Sequence, residues 1–113
     1  MKHSQKHIDS LKSVREKLPK DEVLFELADI FRLFADSTRI KILFALKDEE
    51  LCVGAICELV GMEQSAVSHQ LKILREKCLI KFSQVGKTRL YSLADSHVSD
   101  ILQMSAEHLS EEA

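Results

Sequence analysis

The chain has 113 residues, 45% of them hydrophobic, no Trp and 5% aromatics, so it can build one modest aliphatic core and is no disordered tail. The N-terminus MKHSQKHIDSLKS has no apolar run and no 18-residue apolar stretch follows, so neither a secretory leader nor a membrane span is expected; three cysteines, an odd number, then read as reduced thiols in a cytoplasm. Net charge is −2, but residues 1–20 carry six Lys/Arg against two acids and residues 62–91 another six against two, while residues 92–113 carry five acids and no Lys or Arg. A local basic field can bind phosphate whatever the total, and an acidic end suits a cation.

In chain order, residues 1–20 form a basic N-terminal arm, a loose helix or an extended segment closed by Pro19, and residues 21–113 form the domain proper. Apolar residues at 23, 24, 27, 30, 31 and 34 predict an amphipathic helix. ADS breaks it, and Asp36 or Ser37 can cap a second helix, TRIKILFALK, whose apolar positions surround it and predict a central, buried element. A third helix spans about Val53 to Val60 and ends at Gly61, a residue that tolerates positive φ. A fourth spans about Gln64 to Lys77. Two β-prone runs then flank VGK, whose Gly86 suits a hairpin turn, and a final helix begins near Asp95.

A short helix, a turn at Gly61 and a helix of about 13 residues make a helix-turn-helix. In the second of these helices Val67, Leu71, Leu74 and Cys78 share a core-facing stripe, while Gln64, Ser65, Ser68, His69 and Lys72 lie on other, polar positions. Any exposed helix has a polar face. This one, however, has short hydrogen-bonding groups at its N-terminal end and a cation further along, as a helix entering the major groove requires. The hairpin adds Lys81, Lys87 and Arg89 as a wing beside it. Gln64, Ser65, Ser68 and His69 are the candidates for base contact, and Lys72, Lys87 and Arg89 for phosphate. Arg39 has two readings, a phosphate contact or an ion pair with Asp36. Tyr91 reads as a half-buried strand residue. The fold is therefore mainly α with a small β-hairpin wing, a winged helix-turn-helix in the order α-α-α-α-β-β-α.

FADSTRIKILFAL, ELCVGAICELVGMEQSAVSHQLKILRE and GKTRLYSL resemble the ArsR/SmtB family of metal-sensing transcriptional repressors over about residues 22 to 111. The resemblance implies a homodimer joined through its first and last helices. It also implies a metal-free state bound to double-stranded operator DNA at an inverted repeat and released by metal.

The last helix carries Asp95 and His97 at its start and His108 and Glu111 near its end. The histidines are 11 residues apart, on one face and separated by roughly 16 Å, so one helix cannot close a site whose metal–ligand bonds are about 2 Å. Two such helices, antiparallel across a twofold axis near residue 102 or 103, bring Asp95 and His97 of one protomer to His108 and Glu111 of the other, with Val98, Ile101, Leu102 and Leu109 as the apolar stripe between. The spacing D-x-H-x₁₀-H-x₂-E also matches the terminal-helix zinc site of the family it resembles. Two imidazoles and two carboxylates suit Zn²⁺, with Co²⁺ as a surrogate, and tetrahedral geometry disfavours Ni²⁺. Binding needs neutral imidazoles and should weaken below about pH 6.5.

Some family members take soft metals through CVC at the third helix; here LCVGA keeps Cys52 and offers no donor at Gly54 or Ala55. Cys52 with His3 and His7 is a second candidate metal set, and Cys57 and Cys78 read as small buried residues. The expected function is a zinc-responsive repressor. The alternatives are a winged-helix regulator answering to soft metal or thiol chemistry at Cys52, or one without metal control. Four protein ligands at a helix interface leave no open position for water, which argues against an enzyme.

Overall fold

The structure is a computed structural model that describes residues 4–112, the side chain of Glu112 aside. The chain divides between Phe31 and Arg32 into two compact units.

In the first unit the arm is helical, so one helix more precedes the hairpin than the residue pattern predicted. α1 (Gln5–Lys17) starts where the Ser4 side chain accepts the His7 N–H at 3.2 Å, and it buries none of its residues. The chain leaves it at Leu18, whose backbone is extended, as befits the residue before Pro19. α2 (Asp21–Phe34) follows with the amphipathic pattern expected of it, and its end, from Arg32 on, belongs to the second unit. Val23, Leu24, Phe25, Leu27 and Phe31 are nevertheless exposed.

The second unit holds α3 (Ser37–Asp48), α4 (Val53–Val60), α5 (Gln64–Glu76), the hairpin β1 (Ile80–Val85) and β2 (Thr88–Leu93), and α6 (Ser96–Glu112). Of the two cap candidates Asp36 is the one used: its carboxylate accepts the Arg39 N–H at 2.9 Å. α3 packs against α4, α6 and β2, and its Ile42, Leu43 and Leu46 are buried. Phe44 departs from the expected all-round burial and is 39% exposed. Around α3 the core is completed by Ile56, by Val67, Leu71 and Leu74 of α5, by Leu79, Ile80, Tyr91 and Leu93, and by Val98 and Leu102 of α6. Each buried Leu or Ile contributes about 1.5–3 kcal/mol by leaving water.

The turn of the helix-turn-helix is set by Gly61, at φ 67°, whose N–H reaches the Cys57 carbonyl at 2.8 Å. The end of α5 corrects one expectation. Leu79 N–H bonds the Leu74 carbonyl (3.0 Å) and Cys78 N–H the Arg75 carbonyl (2.9 Å), which is the Schellman arrangement. It places Cys78 in the left-handed region at φ 58°. The helix has by then stopped, so Cys78 is turned out of the Val67–Leu71–Leu74 stripe and is exposed, neither core-facing nor buried.

The hairpin pairs Ile80 with Leu93 through to Val85 with Thr88, leaving Gly86 and Lys87 as a two-residue turn. Gly86 takes φ 62°, the positive value at the first turn position that a type II′ turn needs. Leu51 and Tyr91 exchange backbone hydrogen bonds of 3.0 and 2.8 Å, tying the α3–α4 loop to the wing.

Candidate nucleic-acid interface and metal donors

The buried stripe of α5 decides what its other side shows. With Val67, Leu71 and Leu74 inward, Gln64, Ser65, Ser68, His69 and Lys72 are all exposed, forming a continuous polar surface along one helix. Lys72 is 4.0 Å from Glu76, an exposed pair of small energetic weight. Lys87 sits in the turn of the wing and Arg89 on β2, both exposed. Two residues of this surface escaped the residue pattern. Arg75, seven positions beyond Ser68 and so on the same face, has its guanidinium 5.0 Å from the centre of the Phe82 ring, and Arg89 lies 4.4 Å from that same ring. The helical spacing could have found Arg75; Phe82 needed the folded hairpin. Tyr91, 7% exposed, packs its ring 5.6 Å from Phe82 and is a core residue.

Arg39 does not make the side-chain ion pair with Asp36 that was one of its two readings. Asp36 receives its backbone N–H, while its guanidinium donates through Nε to the Leu33 carbonyl (3.1 Å), through Nη1 to Oε1 of Gln70 (3.1 Å) and through Nη2 to the Arg32 carbonyl (3.5 Å). One planar fork thus joins the end of α2 to the middle of α5, one residue after His69.

At the other end of the chain Asp95 caps α6, accepting the N–H groups of His97 (2.9 Å) and Val98 (3.4 Å). The cap brings Oδ1 of Asp95 to 3.3 Å from Nδ1 of His97, whose side chain is 87% exposed. His108 and Glu111 are exposed further along the same helix. Among the described residues no three His, Cys, Asp or Glu side chains gather closely enough to hold a metal ion. The chain therefore offers a preset carboxylate–imidazole pair and a second pair three turns away, donors of the right chemistry for a zinc site but divided along one helix.

The apolar stripe of α6 is divided too. Val98 and Leu102 face the core of their own chain, whereas Ile101, Met104 and Leu109 are 36%, 68% and 70% exposed. His97, Ile101, Met104, His108 and Glu111 follow one another at alternating steps of four and three, so they share one open face.

Cys52, Cys57 and Cys78 are free thiols. Cys52 precedes α4, half-buried, beside a groove of about 430 Å³ that Gln84, Lys87 and Arg89 also line. Of its suggested partners, His7 belongs to α1 in the first unit, and His3 lies outside the described residues.

Residues 36–81, the span from the Asp36 cap to the first strand, match the family described as "Bacterial regulatory protein, arsR family". A transcriptional repressor SmtB homolog of Synechocystis is 36% identical over 105 residues, 93% of this chain and 80% of its own length. The chain belongs to the ArsR/SmtB family of metal-sensing transcriptional repressors. A cadmium resistance regulatory protein CadC homolog of Staphylococcus aureus is 31% identical, covering 95% of this chain and 88% of its own. The solution structure of apo-NmtR superposes with a TM-score of 0.71 at 37% identity, over 86% of this chain and 82% of that one. These ArsR/SmtB relatives are regulators, not enzymes. No helix among the described residues is long and apolar enough to cross a membrane.

Proposed function

We propose that this ArsR/SmtB protein is a cytoplasmic, zinc-responsive repressor that binds an inverted-repeat operator as a metal-free homodimer. Zn²⁺ would be held by Asp95 and His97 of one protomer with His108 and Glu111 of the other, two identical sites per dimer. The observation that carries the reading is the Asp95–His97 pair, held at 3.3 Å by the cap of α6, with His108 and Glu111 on the same helix. The open face between the pairs, Ile101 and Met104, supports a second α6 as the neighbour, and the exposed apolar residues of α2 support a dimer built through both helices. Two imidazoles and two carboxylates favour zinc over cadmium, a softer ion better served by thiolates, and here Gly54 and Ala55 leave Cys52 without a neighbouring thiol.

Gln64, Ser65, Ser68 and His69 would then meet base edges, and Lys72, Lys87 and Arg89 phosphates. Metal would act by favouring a dimer in which the two α5 helices no longer fit successive major grooves. Such coupling is typically about 1–3 kcal/mol, or 5- to 150-fold in affinity. The alternative, sensing at Cys52 with or without His3 and His7, rests on the placement of that thiol beside the wing. Fluorescence anisotropy on an operator fragment, with chelator and with Zn²⁺, separates the two. Zinc should weaken wild-type binding at least fivefold and leave His97→Ala bound. Weakening that survives His97→Ala but not Cys52→Ser would move the sensor to the thiol.

A further inference from the structure

The gap between α5 and the wing holds a group of cations for which the reading above has only part of a task. The guanidiniums of Arg75 and Arg89 approach one ring, that of Phe82, so the two charges are no more than about 9.4 Å apart. Among the described residues neither has a carboxylate partner. Lys72 is nearby, and its contact with Glu76 is long and solvated. Together with Ser68, Leu71 and Tyr91 these residues line a cleft of about 220 Å³ between helix and hairpin.

Two like charges gathered about one aromatic ring and lining one cleft repel each other, and the ring offsets only about 0.5–1 kcal/mol for each exposed cation. An anion between them reverses the sign of the interaction, and guanidinium forks match phosphate oxygens in pairs. The geometry of duplex DNA supplies that anion. A helix in the major groove and a hairpin reaching the neighbouring minor groove must straddle the phosphodiester strand that divides the grooves. The strand therefore passes over the gap between α5 and β2, where the three cations stand.

We infer that this cleft seats one backbone phosphate per operator half-site, gripped jointly by Arg75 and Arg89. Lys72 and the Ser68 hydroxyl lie at its rim. Phe82 is a positioning residue: its ring holds the two forks at the separation the phosphate needs. The inference rests on the DNA-binding reading and adds to it a contact residue, Arg75, and a reason for an aromatic side chain in the wing.

The test uses the full chain in chelator and operator duplexes carrying a single neutral methylphosphonate, moved one position at a time along the backbone. Wild-type affinity should fall roughly tenfold at one position per half-site, the loss expected for charge-assisted hydrogen bonds. At that position Arg75→Gln and Arg89→Gln should each show little further loss, while responding normally everywhere else. Phe82→Leu, which keeps both charges, should blunt the response at the same position, and Phe82→Tyr should restore it. Equal sensitivity of wild type and Arg75→Gln at every position overturns the inference, as does a different insensitive position for each arginine. In both cases wild type still binds the unmodified operator, so the DNA-binding reading stands. Failure of wild type to prefer operator over random duplex sinks that reading itself. A free phosphate ion offers the same oxygens: a saturating shift of the Arg75 Nε–H resonance on adding inorganic phosphate without DNA, at constant ionic strength, would make this a small-anion site and overturn the assignment to the backbone.

Discussion

α5 and α6 are both amphipathic helices on the same core, and they finish their packing differently. α5 buries its whole apolar stripe, Val67, Leu71 and Leu74, and shows solvent a face of Gln, Ser, His and Lys. α6 buries Val98 and Leu102 and leaves Ile101 and Met104 exposed between two histidines. A helix finished within its own chain can meet a polar, charged ligand such as duplex DNA. One with an unfinished apolar face suits a second protein surface, since contiguous exposed apolar area marks association sites. The midpoint of His97 and His108 is also the midpoint of Ile101 and Met104. In an antiparallel pair of α6 helices one twofold axis therefore sets histidine against histidine and Ile101 against Met104.

The contrast can be broken most sharply at α5. Leu74→Ala should lower unfolding free energy by about 2–5 kcal/mol in urea, because the cavity cannot refill; a loss under 1 kcal/mol would mean that α5 is not held as described. Met104→Asp, on the open face of α6, should leave the fold intact but weaken self-association at least tenfold by sedimentation, and unchanged association would remove α6 from the dimer interface. Next in size is Asp95, where capping and ligation separate. Asp95→Ala should cost about 1 kcal/mol in stability, Asp95→Asn only a few tenths, and both should blunt the zinc response.

Arg39 and Gln70 link the end of α2 to α5. A double-mutant cycle of their alanine variants in operator binding should show about 0.5–1.5 kcal/mol of coupling. The salt dependence of binding should stay unchanged, whereas a lost phosphate contact would reduce its slope by about 0.9. The smallest effect belongs to the end of α5: Cys78→Gly should stabilise by about 0.4–1 kcal/mol, glycine relieving the positive φ.

Element order after the arm, the turn at Gly61, the hairpin at Gly86 and the spacing of Asp95, His97, His108 and Glu111 were legible from residue types and periods, since each depends on neighbours a few positions away. The polar face of α5 was legible for the same reason. Its end was not: whether the stripe continues to Cys78 depends on a Schellman turn that a non-glycine residue rarely makes. Nor was the arm's helix, whose polar composition and Pro19 fit an extended segment equally well.

Arg39 shows the limit most clearly. Its local sequence offered Asp36 or DNA, and the fold supplied Gln70, 31 residues away. Periodicity assigns residues to faces of a helix, and donor spacing along α6 follows from helical rise, so the amino-acid order alone carries both. Which half of the α6 stripe is used up at home, and which cations share the Phe82 ring, depend on how α3, β2 and the wing meet across the chain. Those are long-range packing contacts, and no local pattern encodes them.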